Sequence, residues 1–385
     1  MRNVIPYGRQ RILEEDINAV VDTLKSDFLT QGPKVKEFEE NFASYIGSKY
    51  AVAVANGTAA LHLSVLSLGI KKGAKVITSP LTFVATANAV LYAGGEIDFC
   101  DIDPHTLLID INKLRNKLSD VPKGTYCGII PVDFAGAAAQ MDEFKALAEE
   151  YNLWLLEDAC HAPGGYFYDN LKEKHHCGNG NYADLAIFSF HPVKHIAAGE
   201  GGMITTNDSK LYKKLLKLRT HGITKNPDEI KNNHGGWYYE MQDLGYNYRL
   251  NEISCSLGLS QLNRAKEELS KRKKIAQRYI EAFTNIPGLE LVNDKLEGHA
   301  YHLFIIKTNR RKPLYDYLKN YNIYPQIHYI PVHLHPFYQN LGFNRGDYPI
   351  VEAYYEDCIT LPLFPSLTEE EISYVIKIVK SFFID

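Results

Sequence analysis

Three short segments carry residue types that could do chemistry, and each follows a short apolar run. Asn56-Gly57-Thr58-Ala59-Ala60 opens a helix-period stretch. Small residues at a helix start leave backbone N–H groups free and let a phosphate approach them. The same five residues also read as a plain capped turn. Glu157-Asp158-Ala159-Cys160-His161 closes the apolar run 153–157. In an open α/β sheet the carboxyl ends of the strands face the ligand crevice. Asp158 is there either a helix cap or an acid that keeps a pyridinium nitrogen protonated, which pyridoxal phosphate chemistry requires. His161 is either a satisfied core histidine or a hydrogen-bond partner for a cofactor oxygen. The third segment, Phe188-Ser189-Phe190-His191-Pro192-Val193-Lys194-His195, runs into Gly199-Glu200-Gly201-Gly202. A lysine held between a buried strand and a glycine-rich turn can lose its hydration, which lowers its pKa and frees the amine for a Schiff base. Most lysines are solvated surface groups, so Lys194 alone says little. The phosphate turn, the strand-end acid and Ser-x-x-x-x-Lys, in that order, say far more.

Such residues need a scaffold that brings several strand ends together. Val35, Phe38, Phe42 and Ile46 mark one helical face, and 50–55 (YAVAVA) reads as a buried strand. Helix-period stretches at 57–68, 84–92, 111–118 and 141–151 then alternate with strands at 75–78, 96–101, 128–134 and 153–157. Further strands fall at 184–190 and 202–206, with a helix at 211–219. Apolar strands without strict alternation predict a mostly parallel sheet covered on both faces, a doubly wound α/β domain. Residues 1–250 form this large domain, with 1–33 as an N-terminal segment. A smaller α/β domain is expected over 251–385, with the boundary inside a helix. It opens with one long helix over 252–283, whose Leu257, Gln261, Arg264 and Glu268 rows suggest a buried and a solvated face. A strand at 301–307, a helix at 314–321 and a strand at 324–329 follow. Thr368 and Glu371 form a capping box that opens a last amphipathic helix.

Composition bounds the reading. The 385 residues are 45% hydrophobic and 23% charged, which excludes a disordered chain. The net charge of −4 gives no basic excess for nucleic acid or an anionic membrane. No apolar run approaches the ~18–20 residues of a membrane helix, and the N-terminus lacks a signal-peptide core. Six scattered cysteines without paired spacing read as reduced thiols in the cytoplasm. Twenty-six tyrosines are many, and an aromatic surface that meets another subunit is one reason to carry them.

The ordered set resembles the DegT-like sugar aminotransferases, a family of the aspartate-aminotransferase fold (PLP fold type I). The likeness spans essentially the whole chain, through IPYGRQ, DFLTQGP, NGTAALHL, PLTFVATANAV, EDACHAPGG, FSFHPVKHIAAGEGGMITT, GYNYRLNE and QIHYIPVHLHPFY. It is most similar to the members that act in pseudaminic acid biosynthesis, where HPVKH, DFLTQG and the histidine of QIHY recur together. The resemblance implies pyridoxal 5'-phosphate bound to Lys194, with Asp158 pairing the ring nitrogen. It places His161 beside the phenolic oxygen, Phe83 on the ring, and Thr58, Ala59 and Ser189 at the phosphate. Asn247 then reaches the phosphate from the neighbouring subunit of a homodimer with shared active sites. Thr30 and His328 match positions near the sugar nucleotide. Related sugar dehydratases replace the lysine with histidine; this chain keeps Lys194, and His195 merely follows it.

The implied reaction moves the amino group of L-glutamate to C4 of a UDP-linked 4-keto-6-deoxy-N-acetylhexosamine. Another 4-keto or 3-keto nucleotide sugar, UDP- or dTDP-linked, is the alternative. From a different class, a non-catalytic PLP-fold sensor or regulator competes; an intact lysine, acid and phosphate turn weigh against it. Residues 172–177 (KEKHHC) read as a solvated loop. His175, His176 and Cys177, with His161, invite a zinc reading. No second ligand pair stands at a fixed spacing, so no metal is expected.

Overall fold

The computed structural model describes residues 4–232, 234–292 and 296–384. Val52, Val54, Ile77, Ile129, Leu156, Ile187 and Ile204 are wholly buried. Strands this uniformly apolar must be covered on both faces. They lie in six strands of a seven-stranded sheet, β1 (Tyr50–Val54), β2 (Lys75–Thr78), β3 (Glu96–Phe99), β4 (Tyr126–Ile130), β5 (Trp154–Asp158), β6 (Leu185–Ser189) and β7 (Gly202–Thr206), of which only β3 holds none of them. Their spatial order is β1-β7-β6-β5-β4-β2-β3. β7 runs antiparallel to both neighbours, and every other pair is parallel. One edge of the sheet therefore gathers the carboxyl ends of β1, β2, β4, β5 and β6 with the start of β7. The three segments picked out by their chemistry all sit on that edge.

Local chemistry explains the helices that follow the strands. Asn56, Asp110 and Asp208 each accept backbone N–H groups as caps of Gly57–Ser67, Ile111–Ser119 and Ser209–Arg219. At the other end of the chain Thr368 and Glu371 form the expected capping box, with bonds of 3.1 and 2.9 Å. A second apolar cluster joins Ile275, Tyr279, Phe283, Phe304, Ile306, Leu361 and Val375. It packs around an antiparallel sheet of Glu290–Leu291, Phe304–Lys307 and Cys358–Leu361. Ile5 lies in this cluster, and Ile5–Pro6 pairs parallel with Ile323–Tyr324. Among the described residues no helix is long and apolar enough to cross a membrane.

Several elements differ from the sequence reading. The long helix over 252–283 is two helices, Glu252–Asn263 and Ala265–Phe283, broken at Arg264 with φ −112°. The Arg264 guanidinium reaches the buried Asp16, with Nη1 2.7 Å from Oδ1. Gln261 donates to Asp16 as well, and Glu268 takes Arg11. Gln261 and Glu268 are buried and Arg264 half-buried because they grip Arg11 and the N-terminal helix that follows it, Glu14–Leu24. Residue 250 lies ahead of a helix rather than inside one, since Asn251 caps Glu252–Asn263. The strand expected at 324–329 stops at Tyr324. Beyond it only Gln326 bridges to Thr360, and the Tyr354 hydroxyl holds the His328 carbonyl at 2.7 Å. The strand expected at 128–134 ends at Ile130, where the chain turns into a short 3-10 helix, Phe134–Gly136.

Residues 172–177 are not simply a loop. Lys174–His176 is a strand paired with Tyr166–Tyr168. His175 is buried with Nε2 3.0 Å from Asp169 Oδ2, and His176 Nδ1 lies 3.3 Å from the Gly165 carbonyl. Cys177 turns to Asp133 and Glu157. The three side chains thus diverge to separate partners, and His161 belongs to another place altogether.

Candidate active site

A cavity of 730 Å³ opens over the gathered strand ends. Its floor begins with the turn after β1. The first N–H groups of a helix have no partner inside it. Asn56 Oδ1 takes that of Ala59 at 2.8 Å, while Gly57 and Thr58 stay at the cavity wall. The backbone of Ala59 is thus committed to the cap, and Ala59 does not line the cavity. Ser189, the last residue of β6, stands against Gly57: a Cβ there would lie 3.0 Å from Ser189 Cβ. At Gly202 a Cβ would lie 2.5 Å from the Asn56 carbonyl oxygen. Glycine at both positions lets β7 and β6 close on the turn.

Asp158 ends β5 and lines the cavity from below. Its Oδ2 accepts from Thr86 Oγ1 at 2.7 Å, and its Oδ1 from the Cys160 N–H at 3.2 Å. Thr82 Oγ1 lies 2.8 Å from Thr86 Oγ1, so a buried hydroxyl chain supports the carboxylate. His161 Nδ1 accepts from the Ala135 N–H at 3.2 Å. The neutral ring therefore carries its proton on Nε2, which lies 3.3 Å from the Tyr329 hydroxyl oxygen. Burial holds the His161 pKa well below the ordinary histidine range, and the nearby Lys194, His328 and His195 add to this.

Lys194 enters the cavity from the turn after β6, its N–H bonded to the His191 carbonyl at 2.8 Å. Burial lowers its pKa, against the opposing pull of Cys160 and Asp158. Phe83, one residue before the helix Val84–Tyr92, lines the same space and is 57% exposed, far more than a core phenylalanine keeps. The roof is the segment Gln326–Ile330. In it His328 is buried, its Nδ1 2.9 Å from Thr360 Oγ1 and its ring 5.0 Å from that of Tyr7. Burial lowers the His328 pKa to about 3, with Lys194 adding to the effect.

Thr58, Phe83, Asp158, His161, Ser189, Lys194 and His328 therefore converge on one cavity. Thr30 and Asn247 do not line it. Thr30 is exposed and bridges to Asn251; Asn247 is exposed, bridges to Thr220 and accepts from Arg249 Nε at 3.0 Å. Sequence reasoning passed over Thr86, Tyr329 and Tyr7. Tyr7 and Tyr329 stood in the motifs IPYGRQ and QIHY, but nothing local marked Thr86, a threonine inside an apolar helix.

Residues 10–380 match the DegT/DnrJ/EryC1/StrS aminotransferase family. The chain is 39% identical to a spore coat polysaccharide biosynthesis protein of Bacillus subtilis, over 98% of this chain and 96% of that protein. It is 37% identical to the UDP-4-amino-4,6-dideoxy-N-acetyl-beta-L-altrosamine transaminase of Campylobacter jejuni, over 97% and 96%. Among solved structures it superposes with a TM-score of 0.89 on Helicobacter pylori PseC, an aminotransferase involved in the biosynthesis of pseudoaminic acid. That pair is 30% identical, with 99% of each chain covered.

Proposed function

The chain belongs to the DegT/DnrJ/EryC1/StrS aminotransferase family, and from that premise we propose that it carries the amino group of L-glutamate to C4 of a UDP-linked 4-keto-6-deoxy-N-acetylhexosamine. The product is an amino-sugar precursor of the pseudaminic acid type. The broader class is given by the family: a pyridoxal-phosphate-dependent sugar aminotransferase of fold type I. The altrosamine transaminase and the pseudoaminic acid aminotransferase among the similar proteins support the finer reading, and one observation carries the aminotransferase chemistry itself. A desolvated lysine, a strand-end carboxylate and a helix start free of side-chain bulk line a single 730 Å³ cavity.

The residues fit the cofactor. Gly57 and Ser189 form a cradle that a Cβ at residue 57 would fill, and the N–H groups of Gly57 and Thr58 with two hydroxyls suit a phosphate. Bound pyridoxal phosphate supplies an aldehyde that condenses with amines and a ring that takes up the electron pair of a broken C–H bond. The chain does the rest. Asp158, which accepts from Thr86, would hold a proton on the ring nitrogen. His161 would present Nε2–H to the phenolic oxygen, and Phe83 would cover one face of the ring. Lys194 Nζ, its pKa lowered by burial, would act as the base and then the acid of the 1,3-proton shift that starts at the α-carbon of the amino donor. His328 would face the sugar nucleotide, and Thr30, which lies outside the cavity of its own subunit, would reach a sugar nucleotide only across a dimer.

Among the described residues Lys194 is the one lysine lining the cavity, and no arginine lines it. Phosphate, a dicarboxylic donor and a nucleotide diphosphate bring several negative charges there. This supports a homodimer in which Asn247, exposed next to Arg249, reaches the phosphate of the partner subunit. A large domain over 1–250, a small one over 251–385 and a cytoplasmic setting complete the proposal. The test is direct. Enzyme and glutamate are incubated with UDP- and dTDP-linked 4-keto and 3-keto sugars, and the aminated carbon is identified by NMR. Amination at C4 of the UDP sugar is expected; clear preference for a dTDP-3-keto sugar overturns the substrate.

A further inference from the structure

Glu157 precedes Asp158 on β5, so its side chain leaves the strand on the face turned from the cavity. There it meets Asp133 and Cys177, with the donor atoms of all three within 4.8 Å of one another and all three buried. Glu157 Oε1 accepts from the Gly178 N–H, and Asp133 Oδ1 from the Ala139 N–H, both at 2.9 Å. Asp133 Oδ2 is buried and takes no N–H donor, and the side chains within hydrogen-bonding reach of Asp133 are Glu157 and Cys177. The titratable groups acting on the pair are Cys177 and Asp158, and neither is a cation. Two ionised carboxylates cannot be held this close out of water, because their repulsion is unscreened and uncompensated. One of them must keep a proton.

We infer that Asp133 and Glu157 share a single proton, and that this acid–carboxylate bridge positions Asp158 and His161 beneath the reacting centre. The backbone provides the linkage. The Asp133 N–H donates to the Asp158 carbonyl at 3.0 Å, and the Asp158 N–H to the Pro131 carbonyl at 2.9 Å. Two residues on, the Ala135 N–H fixes the His161 ring. Segment 131–139 thus holds the Asp158 backbone and the His161 ring, and the bridge ties that segment to the end of β5. Burial raises the pKa of both carboxyls, and the Asp133 charge raises Glu157 further. Cys177, kept protonated by burial, adds a weak donor. The positioning half rests on the reading of Asp158 and His161 as cofactor partners; the shared proton does not.

Infrared difference spectroscopy of the full-length enzyme tests the proton. Wild type at neutral pH should show the carbonyl band of a protonated carboxylic acid. Asp133→Asn and Glu157→Gln should each lose it, because an amide N–H replaces the shared proton. The unfolding constant of wild type relative to either variant should rise tenfold per pH unit between pH 5 and 6.5, as one extra proton leaves on unfolding. A missing band in wild type, a band that survives both substitutions, or a stoichiometric bound metal overturns the shared proton. For the positioning half, Asp133→Ala should move the pH midpoint of the bound cofactor's visible absorbance, and Asp133→Asn should restore it. An unmoved midpoint in Asp133→Ala overturns that half, whatever substrate the enzyme uses.

Discussion

Thr86→Val removes one hydroxyl and keeps the shape of the side chain. Thr86 is buried, and its hydroxyl donates to Asp158 Oδ2 at 2.7 Å while meeting Thr82 Oγ1 at 2.8 Å. A hydrogen bond to a charged group contributes about 1.5–3 kcal/mol. Without it the Asp158 carboxylate is the stronger base by that amount, and competes for the proton it should leave on the cofactor ring. At about 1.4 kcal/mol per decade, the glutamate half-reaction should slow by about tenfold to hundredfold. Single-turnover mixing with glutamate, followed at the cofactor's visible band, measures this step without the sugar. Thr86→Ser returns the hydroxyl and should recover most of the loss. A valine variant within twofold of wild type would refute the role given to Thr86 and weaken that of Asp158.

Gly202→Ala places a Cβ 2.5 Å from the Asn56 carbonyl oxygen, and backbone cannot yield as a side chain would. We expect about 1–3 kcal/mol of destabilisation with weaker cofactor binding, read by thermal melts and titration of the apoenzyme; unchanged cofactor affinity would contradict the phosphate turn. His328→Ala should impair the keto-sugar half-reaction more than the glutamate one, and equal losses would remove His328 from the sugar site. The same variant should be less acid-labile. With its pKa held near 3, His328 stays neutral in the fold while the unfolded chain takes up a proton below about pH 6.5, so stability is lost as pH falls. Removing it should flatten the acid limb by about 1.4 kcal/mol per pH unit, measured by denaturant unfolding from pH 6.5 to 4; an identical slope would speak against a neutral His328. Asn247→Ala should loosen the cofactor, and mixing it with Lys194→Ala chains should restore partial activity in hybrid dimers. A fully active monomer in sedimentation would end that idea.

The site was legible where chemistry is local. Asp158 at a strand end and Lys194 before a glycine turn announce themselves through their immediate neighbours, and the sheet brings them together as expected. Met141–Tyr151 and Val84–Tyr92 also keep their read boundaries, since their apolar spacing and turns are local signals. What failed was set from far away. The break at Arg264 answers to Asp16, 248 residues distant. The roof segment around His328 looks like a strand but is held by Tyr354 and Thr360, so it crosses the cavity instead of extending a sheet. His175 joins a hairpin because Asp169 and Tyr182 bury it. One miss had a local signal. Asp16 Oδ2 accepts from the Leu13 N–H, three residues back and amid acidic neighbours, which is a helix-start signature.

The claim on which the rest depends is that Lys194 holds the cofactor. Borohydride reduction of the holoenzyme, proteolysis and mass spectrometry would read it residue by residue. The pyridoxyl mass is expected on the peptide carrying Lys194, and none on that peptide from Lys194→Ala. A label on a different lysine, or no label in a protein that still transaminates, would contradict it.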